Sequence, residues 1–164
     1  AVASVRGADR VGYRVSPIYG DLDADRGEAD MLETYGRLAE ELAAMDIAFL
    51  DVVESFTVGE REPGLDTICA RLRAAFSGGA DAVSASGRPI RQYVAGGGFT
   101  QADGDRALAS GRCDHVMYGR LFIANPDLGR RFREGLPLAD PDPETFYGGG
   151  PEGYTDYPRF DESS

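Results

Sequence analysis

Four short β-branched or aromatic runs, Val11 to Val15, Ile47 to Val53, Gln92 to Ala95 and His115 to Tyr118, are spaced so that a helix-permissive stretch follows each one. This alternation constrains the fold more than any other feature of the chain. Each run has the length and side-chain type of a buried strand. After the first, Met31, Leu32, Tyr35, Leu38, Ala39 and Leu42 recur at three and four residues, the period of one apolar helix face. Leu65, Ile68, Leu72 and Phe76 repeat the period after the second. After the third, Ala102 to Ser110 is compatible with helix and ends at Gly111, a residue suited to a left-handed cap. After the fourth, Asn125 as N-cap and Pro126 at the first helical position predict a helix through Leu128 and Phe132.

Strand and helix alternating four times is the signature of parallel βαβ units. An open doubly wound sheet carries its glycine-rich phosphate loop after its first strand. Here the first strand leads into Ser16-Pro17-Ile18-Tyr19-Gly20, and the glycines cluster after the third. A phosphate site built by the loops after the last two strands is the arrangement of a (β/α)8 barrel. The fold class predicted is therefore α/β, with parallel (β/α) units forming half of a TIM barrel. Residues 1–136 would form the (β/α)4 half-barrel and residues 137–164 a loop and tail, because Pro137 to Ser164 is rich in Pro, Gly and Tyr and has no period. Ser77 to Pro89, small and polar, reads as a surface loop.

No window approaches eighteen consecutive apolar residues, and the first ten residues hold two arginines without an apolar block behind them, so neither a membrane span nor a signal peptide is expected. The expected location is cytoplasmic. The 17 basic residues, all arginine, stand against 28 acidic ones, and the net charge of −11 opposes non-specific binding to nucleic acid or anionic lipid. Any anionic ligand must find a local positive site. Cys69 and Cys113 have no companion Cys/His spacing, so two reduced thiols and no metal site are expected.

Gly96-Gly97-Gly98 follows the third strand, where consecutive amides free of side chains can turn toward an anion. Gly119-Arg120 follows the fourth strand and adds another such amide and a guanidinium. Together they specify a phosphate cradle at the end where a barrel builds its active site. Arg14 lies inside the first strand. A charge in a buried parallel strand needs a partner, either an electron-rich ligand or a carboxylate such as Asp51 or Glu54. Glu54 itself ends the second strand, and its structural role would be to pair with a barrel arginine. His115, the single histidine, reads as a packed side chain.

In order and spacing, several segments together resemble the C-terminal half of the old yellow enzyme family: Val11-Gly12-Tyr13-Arg14-Val15-Ser16-Pro17, Gly97-Gly98-Phe99-Thr100, Asp114, the run from Gly119 to Leu128, Thr145-Phe146-Tyr147, and Gly153-Tyr154-Thr155-Asp156-Tyr157-Pro158. The resemblance covers nearly the whole chain. It implies strands five to eight of an FMN-dependent barrel that takes hydride from NAD(P)H and reduces activated C=C bonds. It places Arg14 by the flavin pyrimidine edge, Gly97, Gly98, Gly119 and Arg120 on the FMN phosphate, and Tyr147 over the substrate side of the flavin as the catalytic residue within this half. The family's carbonyl-binding pair, its tyrosine proton donor and its early-strand flavin contacts belong to the first half of the barrel. Gly104 departs from the family pattern, standing where a small helix-forming residue is usual.

The implied partners are a complementary N-terminal half-barrel or a second copy of the chain, and a small activated alkene. Four strands closed on neither side would leave an apolar interior face, with Val15, Val53 and Val94 near the contact that covers it. The alternative function is a non-catalytic half-barrel that binds a phosphorylated ligand or a protein partner. A lyase or isomerase would want a lysine or an acidic base at a strand end; the chain has no lysine, and Glu54, at the end of the second strand, is the single carboxylate that could serve.

Overall fold

A computed structural model of the chain describes residues 1–17, 27–55, 65–77, 91–147 and 149–162. Most of the sequence stretch Ser77 to Pro89 and part of the segment after the first strand lie outside these residues. The described chain divides into two compact units, Ala1–Met117 and Tyr118–Ser164.

The first unit holds four strands, β1 (Gly12–Val15), β2 (Phe49–Val53), β3 (Gln92–Gly96) and β4 (His115–Met117), in one sheet of order β1-β2-β3-β4. Every pairing is parallel. Sequential order with parallel pairing requires a crossover between each pair of neighbours. The helices are α1 (Ala3–Arg6), α2 (Glu28–Ala44), α3 (Leu65–Ser77) and α4 (Gln101–Ala109). No described helix is long and apolar enough to cross a membrane.

The period seen in the sequence fixes which face of α2 and α3 is buried. Met31, Ala39 and Leu42 of α2 and Leu65, Ile68, Leu72 and Phe76 of α3 share one core with Val15, Leu50, Val52, Tyr93 and Ala95 of the strands. Those strand residues sit at alternate positions, so the residues between them face the other side of the sheet. That second face carries Arg14, Phe49, Asp51, Gln92, Val94, His115 and Met117. Paired positions run Arg14 to Asp51, Asp51 to Val94 and Val94 to His115, which makes one row across the four strands.

Three expectations change here. Arg14 is not buried: its side chain is 56% exposed and pairs with Asp51. Among the described residues β1 is an edge strand of the sheet. The face away from the helices is not an apolar sheet surface, since an ion pair, Gln92 and His115 interrupt its hydrophobic residues. Val15 lies in the helix-side core rather than near that face, because its position alternates with Arg14.

α4 forms across Gly104, which is buried in it. A capping box starts the helix: the Thr100 side chain accepts from the Asp103 amide, and the Asp103 carboxylate accepts from the Thr100 amide. Gly111 takes the left-handed conformation just beyond its end, at φ +69°.

The second unit begins with α5 (Arg120–Ala124) and α6 (Leu128–Glu134). Asn125 does not cap α6, which has Asp127 at its N-cap. It ends α5 and is buried. Its Nδ2 donates to the carbonyls of Leu121 and Ala139 at 2.9 and 3.0 Å, and its Oδ1 accepts from the Ala139 amide at 2.8 Å. The carboxamide both donates and accepts, so it bridges α5 to the following segment, and the Asn-Pro turn separates the two helices instead of starting one.

The tail is held by a second buried polar residue. Arg131 is 4% exposed. Its guanidinium donates to Asp127 at 2.8 Å, to the Pro137 carbonyl at 2.8 Å and to the Pro158 carbonyl at 3.3 Å, and it lies over the Phe160 ring. Two 3-10 turns, Pro143–Thr145 and Phe160–Glu162, are the regular structure described beyond α6.

Candidate active site

The C-terminal ends of β2 and β3 meet at a glycine turn. Gly97 and Gly98 have φ of +101° and +67°, values open to glycine at little cost. A Cβ on Gly97 would run into the backbone of Ser55, which follows β2, so this position admits no side chain. The Glu54 amide donates to the Gly96 carbonyl at 2.7 Å and fixes the two strand ends to each other. The turn leaves its backbone free of side chains at the end of β3. The turn lines a cleft of about 650 Å³ with Glu54, Ser55, Phe99 and Arg112.

Glu54 is 1% exposed. It accepts from the Tyr93 hydroxyl at 3.0 Å and from the Arg112 guanidinium. This is the structural pairing with an arginine that its place at a strand end allows, and it engages Glu54 away from base catalysis. Arg112 also lies over the Phe99 ring at 5.8 Å. Sequence reasoning misses Arg112 because it sits in the irregular stretch before β4, where no period marks it. Burial first, then the neighbouring Cys69 and Glu54, push the Tyr93 hydroxyl far above its ordinary range, so it acts here as a donor.

Asp114 precedes β4 and takes both ends of the Arg73 guanidinium, at 2.9 and 3.0 Å, together with the Tyr93 amide at 2.8 Å. Burial alone would raise its pKa, but these donors outweigh it and hold the carboxyl below the usual range. His115 is exposed and meets Gln92 at 2.6 Å. The packed side chain expected from the sequence is instead a surface residue on the second face, on β4, the other edge strand among the described residues.

On that face the Arg14 Nε donates to Asp51 Oδ2 at 2.6 Å, and its Nη2 lies on the Met117 sulfur. Arg14, Gly97 and Gly98 thus all belong to the first unit, with the arginine on the row of the second face and the glycines at the strand ends.

The remaining candidate residues belong to the second unit. Gly119 is the N-cap residue of α5, with no side-chain hydrogen bond capping the helix. Its φ of −87° is open to any residue, and a Cβ there would meet nothing within 4 Å. Nothing among the described residues calls for glycine at that position. Arg120 is exposed and has no ion-pair partner among the described residues. Tyr147 is 90% exposed, its ring edge-on to Phe146.

Comparison with known proteins supplies the context for this arrangement. The putative 12-oxophytodienoate reductase 12 of Oryza sativa subsp. japonica is 41% identical over 171 residues, covering 99% of this chain and 38% of the relative. The 12-oxophytodienoate reductase 2 of Arabidopsis thaliana is 36% identical over 167 residues, covering 100% of this chain and 40% of the relative. Among solved structures, morphinone reductase superposes with a TM-score of 0.75 at 34% identity, over 99% of this chain and 39% of that one. The old yellow enzyme of Trypanosoma cruzi gives 0.74 at 26% identity, over 97% and 37%. The chain belongs to the old yellow enzyme family, as a C-terminal half-barrel. No family model matches it. This old yellow enzyme half-barrel spans about two fifths of the length of these relatives.

The turn presents side-chain-free backbone at the end of β3, which a flavin phosphate could approach, while the glycine at 97 is itself required by the Ser55 backbone.

Proposed function

We propose that this chain is the flavin-phosphate half of an FMN-dependent oxidoreductase that takes hydride from NAD(P)H and reduces activated C=C bonds, working with a complementary N-terminal half-barrel. The observation that carries the reading is the side-chain-free turn at Gly97 and Gly98, set at the end of a parallel strand next to β4, in a chain whose relatives are named reductases. A related morphinone reductase was solved with tetrahydroNAD, which supports a nicotinamide as reductant.

When bound, FMN would supply the hydride relay between reductant and alkene. The chain's own residues bind and orient. The Gly97 and Gly98 amides donate to the phosphate without a side chain in the way. For Gly119 and Arg120, which belong to the second unit, the family resemblance implies an amide and a charge-assisted contact to a phosphate. Arg14 would favour electron density on the flavin ring. Tyr147 covers the substrate side. Carbonyl polarisation and proton donation would come from the complementary half, so the 164-residue chain by itself is expected to be inactive toward enones.

The test is stopped-flow reduction of an enone by NADPH, with the chain alone and with the chain plus the N-terminal half-barrel of a relative. Flavin-dependent turnover only in the mixture supports the reading. Turnover by the chain alone contradicts the division of labour, and a colourless mixture that takes up no FMN contradicts the flavin itself. One observation favours a second reading, a phosphate-binding module without redox chemistry: the charge of Arg14 is already met by Asp51.

A further inference from the structure

Arg14 is engaged on two sides. Its Nε donates to Asp51 Oδ2 at 2.6 Å across a paired position of β1 and β2, and its Nη2 rests on the uncharged Met117 sulfur. The two partners differ in burial, the Asp51 side chain being 5% exposed against 56% for Arg14. The second oxygen, Oδ1, is buried and has no hydrogen-bond partner. It sits beside Gly96, where a Cβ would lie 3.6 Å from the Met117 Cβ and 3.8 Å from Oδ1 itself. A purely structural salt bridge would be expected to satisfy both oxygens of a buried carboxylate. Asp51 satisfies one, on Arg14.

We propose that Asp51 is a positioning residue and fixed counter-charge for Arg14: it holds the guanidinium in the row of the second face and keeps the reduction potential of bound FMN below the value an unpaired Arg14 would set. The proposal rests on the reading that Arg14 faces the flavin ring. A lone guanidinium there stabilises the electron-rich reduced ring and raises the potential. A carboxylate held against it offsets that effect, and burial limits how far solvent and salt screen it. Arg14 is exposed and so accessible to a ligand, while its partner Asp51 is buried.

The test measures the midpoint potential of FMN bound to the full chain, with the N-terminal half-barrel of a relative present where the chain alone takes up no flavin. Asp51→Asn keeps the shape and an acceptor for Arg14 but removes the charge. It is expected to favour reduced over oxidised FMN by about tenfold, a rise of about 30 mV for a two-electron couple, with oxidised-FMN affinity near wild type. Arg14→Gln should move the potential the opposite way. The double variant Arg14→Gln/Asp51→Asn, an uncharged pair that remains available if the single Asp51 change does not fold, should return close to wild type.

If Arg14→Gln lowers the potential while Asp51→Asn leaves it unmoved, the counter-charge role is overturned and the flavin reading stands. A double variant as low as Arg14→Gln alone overturns it equally. If neither single variant moves the potential, or no FMN binds in either format, the placement of Arg14 falls and the proposal with it.

Discussion

At the scale of single residues, the glycines and arginines of the candidate site are visible in the sequence to different degrees. Gly97 and Gly98 stand out because consecutive glycines directly after a strand mark a turn that needs positive φ, and both adopt it. Gly97→Ala should destabilise the chain by about 1–3 kcal/mol from backbone strain alone, and by more because the added carbon meets the Ser55 backbone; urea unfolding would measure it. Arg14 is legible as a charge needing a partner, and Asp51 is one of the two carboxylates the strand pattern offers it. Its exposure is not legible, since a sequence does not show which strand lies at a sheet edge. Arg112 leaves no pattern at all.

The thiols give a separate check. Burial, foremost, pushes the Cys113 thiol up to about 11, so it should resist alkylation at neutral pH in the native chain and react on unfolding. Asp114 provides the pH dependence. Its folded pKa is depressed, so its contribution to stability is present above the ordinary carboxylate pKa of about 4 and is lost as pH falls through the lower folded value. Asp114→Asn should therefore flatten the acid limb of a stability-against-pH curve, measured by thermal melting. An unchanged limb would mean that Arg73 does not hold that carboxylate in solution.

At the scale of elements, all four strands and the helices α2 to α4 follow from period and β-branching, because α2, α3 and the strands bury one face in a single core and α4 has a clear cap at each end. The helix expected from Asn125 starts later for a physical reason. Asn-Pro suits both a cap and a turn, and the choice depends on the Ala139 backbone, which lies fourteen residues on and which local sequence does not reveal. Asn125→Ala should cost about 1–3 kcal/mol for each buried group left unpaired, a loss visible as a lower melting temperature and faster amide exchange at Ala139. Thr100→Ala, which removes the capping box of α4, should cost about 0.5–2 kcal/mol without altering the strands.

At the scale of the whole molecule, the sheet has two unpaired edges, β1 and β4, among the described residues, and one face that carries no helix-side core. Open edges and a face bearing the exposed Phe49 favour association. Sedimentation should show a dimer, or a complex with a complementary half, in place of a monomer that persists across concentration. The Arg14–Asp51 pair makes this face more polar than an all-valine interior, so association should weaken as ionic strength rises if the pair lies in the contact.

Whether the chain holds a flavin by its phosphate is decided by titrating FMN and riboflavin against wild type and Arg120→Ala in the flavin-binding assembly. Loss of one charge-assisted contact, about 1.5–3 kcal/mol, should weaken FMN by about one to two powers of ten. Riboflavin lacks the phosphate and should bind weakly to both forms with little difference between them. Equal loss of FMN and riboflavin affinity in Arg120→Ala would contradict the assignment of that arginine to the phosphate.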